Sequence, residues 1–178
     1  YLNNKNKYFT QIKKNSRSKL KLVNLRNFYK LKKYIKNNYL LTKNNQENLI
    51  FVFEILKKFK TSKKLIFKTI NKFSGLPHRQ ERVYLGKKII CINDSKATSF
   101  ESTKQALINY KNIFWIVGGI PKKNDKIELS IYKKNIIKAY IIGKNKSFFV
   151  NQLKKEINYL KCRNLSSAFF KIVEDIIN

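Results

Sequence analysis

The sequence predicts an α/β protein whose second half folds as a parallel sheet with helices on both faces. From residue 88 onward, short apolar segments alternate with amphipathic ones, which is typical of parallel sheets because each crossover lays a helix on the sheet. The segments "NIFWIVGG" (112–119) and "KAYIIG" (138–143) are almost continuously apolar, which indicates strands buried on both faces. Such sheets bind ligands at the carboxyl ends of their strands, so chemistry is expected in the segments that follow the strands.

The other elements of the second half follow from periodicity and capping residues. "KIICI" (88–92) predicts a further strand of this sheet, and "ESTKQALINY" (101–110) predicts an amphipathic helix that Ser99 caps. Two more helices are predicted at about 147–160 and 166–177, on either side of a short non-helical segment. The last of them has an apolar face, which implies more sheet for it to cover.

The first half of the chain is less regular. Residues 1–42 show no clean period, although "KLKLVNL" (19–25) and "YLL" (39–41) predict short strands. A clear helix follows at about 45–60, and its apolar residues surround most of its circumference, as in a helix buried on more than one side.

A domain boundary is predicted near the middle of the chain. Ser62 is placed to cap a second helix, and "SGLP" (74–77) ends that helix because glycine suits a helix C-terminus and proline cannot continue it. We therefore expect one domain at 1–74 and another at 75–178.

The composition predicts a packed chain instead of a disordered or membrane-spanning one. Hydrophobic residues make up 43% and aromatic residues 13% of the 178 residues, which is enough for a core. No apolar run approaches the roughly 20 residues that cross a bilayer. The two cysteines, Cys91 and Cys162, lack the spacing of a metal site or disulfide, so both are expected to be core residues in a reducing cytoplasm.

The net charge of +30 leaves two classes of function open. A basic stripe is the usual footprint of a nucleic-acid-binding protein, and this is the alternative interpretation. The basic residues are nearly all lysines, however, and they are scattered along the chain without an aromatic-and-basic RNA-binding motif. We favour lysine as a solvated surface residue and expect no specific nucleic-acid partner.

The segment "INDSKATSFEST" (92–103) is the strongest candidate site. A strand leads into a turn that opens a helix, and free N–H groups at the start of a helix suit an anionic ligand. Lys96 adds a mobile positive charge, Thr98 a hydroxyl group, and Asp94 an acceptor for ribose hydroxyls or a metal-bound water. Ordinary polar turns also use Asp, Ser and Thr, so these residues alone leave both interpretations open.

Two further segments are candidates for the same chemistry. Pro77 in "GLPHRQE" fixes the chain direction, so Arg79 emerges at the domain boundary, where it could hold a phosphate. His78 beside it is more simply explained as a structural hydrogen bonder. "GGIPKKND" turns tightly after a strand and carries Lys122 and Asp125, although two glycines after a strand are common in any protein.

Taken in order, "GLPHRQE", "NDSKATS", "GGIPKKND" and "AYIIG" resemble the C-terminal part of the D-glutamate-adding members of the Mur ligase family. The resemblance covers roughly residues 40–178 and includes "TKNNQEN" (42–48), which is similar to the family's Gly-x-His-Asn-x-x-Asn turn. It implies a Rossmann-like C-terminal domain at 75–178, incomplete at its C-terminus, preceded at 1–74 by the tail of the central ATP-binding domain.

The resemblance also implies a reaction. The expected activity is ATP-dependent ligation in peptidoglycan synthesis, with ATP and Mg²⁺ as cofactors. The γ-phosphate of ATP would pass to the carboxylate of UDP-N-acetylmuramoyl-L-alanine, and the amine of D-glutamate would displace phosphate from the acyl phosphate. The two substrates are the implied partners. The implied enzyme is cytoplasmic, has no membrane partner, and is monomeric when full length.

Carried over by motif, the resemblance gives residues three roles. Those that would hold ATP are Asn45, Asn48, Arg79 and Asp94. Lys96 would be the catalytic residue, beside the phosphates or the reaction intermediate. Thr98 and Lys122 would hold the side-chain carboxylate of D-glutamate.

The sequence also departs from the family pattern. Thr42 stands in place of the usual Gly, Asn44 in place of His, and Ser99 in place of Asn. The family's Gly-rich phosphate loop with its Lys and the metal-binding Glu and His of its central domain are absent from this sequence. We therefore expect either a fragment of a complete, longer ligase or a decaying remnant of one, and in both cases a chain that has no metal ligand of its own and is inactive alone.

Overall fold

The structure, a computed structural model, describes residues 2–3, 7–15, 22–24 and 26–177. The chain divides into two compact units, Tyr1–Gly75 and Leu76–Asn178. The assignment of the first unit to the tail of a central ATP-binding domain, and of the second to a C-terminal ligase domain, stays a prediction.

The first unit is mainly helical in its described part. Its elements are β1 (Leu2–Asn3), α1 (Lys7–Asn15), β2 (Leu22–Val23), α2 (Asn27–Lys32), a 3-10 helix (Asn38–Leu41), α3 (Lys43–Lys58) and α4 (Lys63–Lys72). β1 and β2 form a parallel pair. The core residues are Phe28, Ile35, Leu40, Leu49, Phe53, Ile66 and Ile70. The predicted cap of α4 is confirmed, since the Ser62 hydroxyl accepts a hydrogen bond from the Leu65 N–H at 3.3 Å.

The predicted strand at 39–41 is wrong, because these residues lie in the 3-10 helix. The Asn37 side chain explains the difference: its oxygen accepts from the Tyr39 N–H at 3.1 Å. Its amide group donates to the carbonyls of Ile70 at 3.0 Å and Phe73 at 2.6 Å, so it joins this turn to the end of α4. Of the strand predicted at 19–25, Leu22–Val23 is a strand, and positions 19–21 and 25 lie outside the described residues.

The prediction that the helix near 45–60 is buried on more than one side is wrong within the first unit. Leu49, Ile50 and Phe53 of α3 are buried, whereas Val52 is 44% exposed and Phe59 is 75% exposed. One face of α3 therefore packs against this unit and the other faces outward.

The second unit contains the predicted parallel sheet. Its elements are β3 (Glu81–Leu85), β4 (Ile90–Asn93), α5 (Phe100–Asn109), β5 (Ile113–Gly118), β6 (Ile136–Ile142), α6 (Lys146–Leu153), β7 (Tyr159–Lys161) and α7 (Leu165–Ile177). The sheet has the order β5-β6-β7 with parallel pairing throughout, so the α/β class is confirmed. Within the described residues, no helix has the length and apolar character needed to cross a membrane.

Helices cover both faces of this sheet. Trp115 of β5 packs with Phe100 and Leu107 of α5 and with Phe149 of α6 on one face. Because side chains alternate along a strand, Tyr140 of β6 points to the other face. There it packs with two further buried residues, Cys162, which directly follows β7, and Ala168 of α7. Both cysteines are free, but Cys91 is only half-buried, so the expectation of a core residue holds for Cys162 alone.

β4 does not belong to the parallel sheet, contrary to the prediction. It pairs antiparallel with β3, and residues Tyr84 and Cys91 are opposite each other. A tight turn causes this pairing, because the Gly86 N–H donates to the Ile89 carbonyl at 2.9 Å and brings two consecutive strands together. β3 was not predicted from the sequence.

The helix predicted at 147–160 ends earlier, at Leu153. The residues beyond it form backbone hydrogen bonds with β6 instead of continuing the helix. The Asn158 carbonyl accepts from the Ala139 N–H and the Ile141 carbonyl accepts from the Cys162 N–H, both at 2.9 Å. The buried side chain of Ile157 anchors the connection. The last helix is present as predicted, although Leu165, one of its apolar residues, is exposed.

Candidate active site at the strand ends

The loop before β3 and the loop after β4 are joined by three hydrogen bonds. The Lys96 N–H donates to the His78 carbonyl at 3.0 Å, and the Gln80 N–H donates to Asp94 Oδ1 at 3.0 Å. The Asn93 side-chain amide lies 2.8 Å from His78 Nδ1. These contacts bring together the segments that carry three of the predicted site residues.

The loop before β3 adopts a backbone conformation that side chains usually avoid. His78 has φ of +62° and Gln80 has φ of +47°, in the left-handed region that favours glycine. Such conformations cost free energy and persist where surrounding contacts hold them. The Glu81 carboxylate provides one such contact, since it accepts from the His78 N–H at 2.8 Å. His78 therefore fits the structural role expected for it.

Asp94 has one carboxylate oxygen in use and one without a partner. Oδ1 accepts from Gln80, whereas Oδ2 is buried and has no hydrogen-bond partner among the residues that the structure describes. Burial raises the pKa of Asp94, against the opposing effects of the Gln80 N–H and the Arg79 charge. A buried acceptor without a donor costs free energy, so a ligand hydroxyl that reached Oδ2 would be favoured.

Lys96 and Thr98 lie in the turn after β4, and both are exposed. The Ala97 N–H donates to the Asp94 carbonyl at 2.8 Å and closes this turn. The backbone of Lys96 is thus fixed at one side by His78 and at the other by the turn, while its ammonium group extends outward. Arg79 is exposed as well, in the adjoining loop.

The start of α5 is occupied by its own chain, contrary to the expectation of free N–H groups. Ser99 and Ser102 form a capping box in which each side chain accepts from the other residue's N–H. The Phe100 N–H donates to both carboxylate oxygens of Asp125, at 3.2 and 3.1 Å. Asp125 thus supplies part of the negative charge that the start of α5 attracts, although the sequence predicted no role for this residue.

The loop after β5 carries Lys122, which is exposed. The Asp125 N–H donates to the Lys122 carbonyl at 3.1 Å and closes a tight turn, in which Asn124 has φ of +62°. Lys122 and Thr98 are therefore carried by two segments that meet where Asp125 contacts α5.

The ends of β5 and β6 approach too closely for any side chain at Gly118. A methyl group there would overlap the backbone carbonyl of Ile142. Beyond the strands, the Asn145 side chain donates to the Gly119 carbonyl at 3.1 Å and links the two following loops. Sequence reasoning missed Asn145, since an asparagine after a strand has no distinctive local signal.

Asn45 and Asn48 lie in the first unit, at the start of α3. The Asn45 side-chain amide donates to the Tyr39 carbonyl at 2.8 Å. Asn48 is exposed. Their assignment to ATP stays a prediction.

No metal site is evident in the part of the chain that the structure describes. No three His, Cys, Asp or Glu side chains in that part are close enough to hold a metal ion.

Comparison with known proteins finds several similar proteins, while no family model matches the sequence. A protein of Wolbachia sp. subsp. Brugia malayi is 38% identical over 133 residues, which are 75% of this chain and 27% of that protein. A protein of Rickettsia conorii is 35% identical over 133 residues, with the same coverage of both chains. One of Novosphingobium aromaticivorans is 32% identical over 130 residues, 73% of this chain and 29% of the relative. The matched residues thus span between a quarter and a third of each relative.

The parallel α/β unit, its strand-end motifs and this similarity together define the class: the chain belongs to the Mur ligase family. Each of the three relatives is named UDP-N-acetylmuramoylalanine–D-glutamate ligase. The resemblance predicted from the motifs is therefore confirmed, and it points to the D-glutamate-adding branch of the family.

Proposed function

We propose that this chain is part of a cytoplasmic, ATP-dependent ligase that joins D-glutamate to UDP-N-acetylmuramoyl-L-alanine in peptidoglycan synthesis. The observation that carries the proposal is Asp94 Oδ2, which is buried and has no partner among the described residues, in a loop cluster that also contains Arg79 and Lys96. An acceptor that lacks a donor, in a loop cluster that also carries two cationic side chains, suits a ligand that has both hydroxyl and phosphate groups.

The proposal assigns the ATP contacts by chemistry. Asp94 Oδ2 accepts a hydrogen bond from a ribose hydroxyl, which satisfies the buried oxygen. The Arg79 guanidinium is suited to a phosphate, because its planar donors match phosphate oxygens. Asn45 and Asn48 are included on the motif resemblance alone.

Lys96 stabilises the charge that develops during the reaction. The γ-phosphoryl group passes to an oxygen of the substrate carboxylate, and ADP leaves with the electron pair of the broken P–O bond. Negative charge spreads over the transferring oxygens, and an ammonium group in a fixed turn neutralises part of it. The D-glutamate amine then attacks the carbonyl carbon of the acyl phosphate. The new C–N bond forms, phosphate leaves with the electron pair of the C–O bond, and the amine loses a proton. When bound, Mg²⁺ would neutralise further charge on the phosphates.

Lys122 and Thr98 recognise D-glutamate in this proposal. The Lys122 ammonium pairs with the side-chain carboxylate, and the Thr98 hydroxyl donates a hydrogen bond to it. Both side chains are exposed on loops, where a substrate can reach them.

The test is phosphate release by the full-length ligase that carries this chain, in the presence of ATP, Mg²⁺ and UDP-N-acetylmuramoyl-L-alanine. Release should require D-glutamate, and L-glutamate should not replace it. The 178-residue chain in the same assay should release none above background, because its sequence lacks a Gly-rich phosphate loop. Release that does not depend on the amino acid would contradict the proposed reaction, and turnover by the chain alone would contradict the expected inactivity.

A further inference from the structure

We propose that Asp125 is a positioning residue that fixes the loop bearing Lys122 to the start of α5 and so sets the geometry of the D-glutamate site. The inference rests on the proposed function for its substrate, although the contact itself belongs to the structure. Asp125 is not among the residues that the motif resemblance places on a ligand.

The contact satisfies a group that the helix itself cannot satisfy. Phe100 is the first residue of α5, and the first N–H groups of an α-helix have no acceptor within the helix. Both oxygens of the Asp125 carboxylate accept from the Phe100 N–H, at 3.2 and 3.1 Å. A negative charge at this end of a helix is also favoured by the helix dipole.

Both sides of the contact are held firmly. The Phe100 side chain is only 4% exposed, and its ring packs against those of Trp115 and Phe149 with centroid distances of 6.3 and 5.8 Å. On the loop, the Asp125 N–H donates to the Lys122 carbonyl at 3.1 Å. Movement of the Asp125 carboxylate would therefore carry Lys122 with it.

This arrangement links the two residues proposed for D-glutamate. Thr98 lies directly before Ser99, whose hydroxyl accepts from the Ser102 N–H at 3.3 Å in the capping box of α5. Asp125 thus connects the segment with Lys122 to the segment with Thr98. The relative positions of two side chains that bind one carboxylate must be fixed to within a fraction of an ångström. Loss of the link should therefore weaken binding of that carboxylate.

The contact also accounts for an acidic residue next to a site for a carboxylate. A free carboxylate on the Lys122 loop would repel the substrate. In this structure the charge of Asp125 is directed at the N-terminus of α5, where it is compensated by the Phe100 N–H and the helix dipole.

Steady-state kinetics of the full-length ligase that carries this chain provide the first test. Asp125→Ala should raise the KM for D-glutamate about tenfold or more while the KM for ATP changes less than about twofold, since only one substrate's site is loosened. The KM for D-glutamate of Asp125→Asn should lie between those of the parent and of Asp125→Ala, because the amide oxygen of asparagine still accepts one hydrogen bond. Glu128→Gln is the matched control, since Glu128 is an exposed acid on the same segment that faces Lys104.

An unchanged KM for D-glutamate in Asp125→Ala, or an equal rise in both KM values, would overturn the proposal. A purely structural role would lower the amount of folded enzyme without this selective change.

Hydrogen exchange of the 178-residue chain tests the contact independently of activity. The Phe100 amide should exchange about tenfold faster in Asp125→Ala than in the parent, because it then lacks an acceptor. The Leu107 amide, in the middle of α5, should keep its protection and so report that the helix remains folded. Equal protection of Phe100 in both proteins would rule out the positioning role.

The two experiments separate the possible failures. If the parent ligase shows no D-glutamate-dependent turnover, the proposed function is wrong, and the exchange rate of Phe100 still decides whether Asp125 holds this loop.

Discussion

Two aspartates in the second unit show how burial and partners move a carboxyl pKa in opposite directions. Burial raises the pKa of Asp94. Hydrogen bonds from Lys138, at 2.6 Å, and from the Tyr140 hydroxyl lower the pKa of Asp175. Asp94 Oδ2 is buried and has no partner among the described residues, whereas Asp175 Oδ2 accepts from both Lys138 and Tyr140 in a contact between α7 and β6. The first therefore belongs to the candidate site and the second to the fold.

At the residue scale, Lys96→Ala should reduce kcat of the full-length ligase by about two orders of magnitude or more, because the ammonium group acts on charge that develops in the transition state. The free energy of unfolding should change by no more than about 0.5 kcal/mol, as is usual for an exposed side chain. Lys87→Ala, an exposed lysine in the turn between β3 and β4, is the control and should leave kcat unchanged. Turnover near that of the parent in Lys96→Ala would refute the catalytic role.

The Asp175 contact should make stability depend on pH in the acid range. Its pKa in the folded chain lies below the ordinary value of 3.8, so its contribution is present above pH 3.8 and is lost as the pH falls through the folded pKa. Urea unfolding measured over this range should show a smaller acid-induced loss in Asp175→Asn than in the parent. Glu174→Gln serves as the comparison, since Glu174 contacts only the exposed Lys171 in the described pairs. The expectation fails if Asp175→Asn and the parent lose stability in parallel.

At the element scale, the ends of β5 and β6 determine where the site loops begin. Gly118 and Ile142 are neighbours in the parallel ladder, and the backbones are close enough there that only glycine fits. Asn145 then joins the next two loops by its hydrogen bond to Gly119. The strand ends therefore act as a rigid base for the loop that carries Lys122.

Gly118→Ala should destabilise the second unit by about 1–3 kcal/mol or more, because the added methyl group meets backbone, which cannot rotate away. Urea denaturation followed by Trp115 fluorescence would measure this loss. Gly86→Ala is the matched control: its methyl group would come within 2.8 Å of the Tyr84 ring, an exposed side chain that can turn aside. Similar losses in both variants would argue against the close approach of β5 and β6.

At the scale of the whole molecule, the net charge of +30 determines the nonspecific electrostatic interactions of the chain with other molecules. Lysines are distributed over both units, and the described acidic residues engage only a few of them in ion pairs. Such a surface attracts any polyanion by long-range electrostatics. This attraction is a property of composition and is separate from the reaction proposed for the strand-end loops.

The chain should accordingly bind heparin and unrelated oligonucleotides with similar affinity, and the binding should weaken steeply as salt is added, because counterion release drives it. Fluorescence anisotropy with oligonucleotides of different sequence at several salt concentrations would show this. A complex that prefers one sequence and survives physiological salt would instead support the alternative of a nucleic-acid-binding protein.

Local signals were sufficient for the elements whose causes lie within a few residues. The caps at Ser62 and Ser99 and the apolar runs of β5 and β6 were predicted correctly, since capping and burial leave a direct mark on composition. The family was also predicted from the order of short motifs, because each motif is a contiguous segment.

Contacts between residues far apart in the chain were decided only by the tertiary structure. The pairing of β4 with β3, the early end of α6 and the hydrogen bonds from Phe100 to Asp125 depend on which backbone groups meet in space. A carboxylate in a polar loop looks the same in sequence whether it faces water, a helix end or a ligand. Burial and available donors separate these cases, as they do for Asp94 and Asp125, and both quantities exist only once the chain has folded.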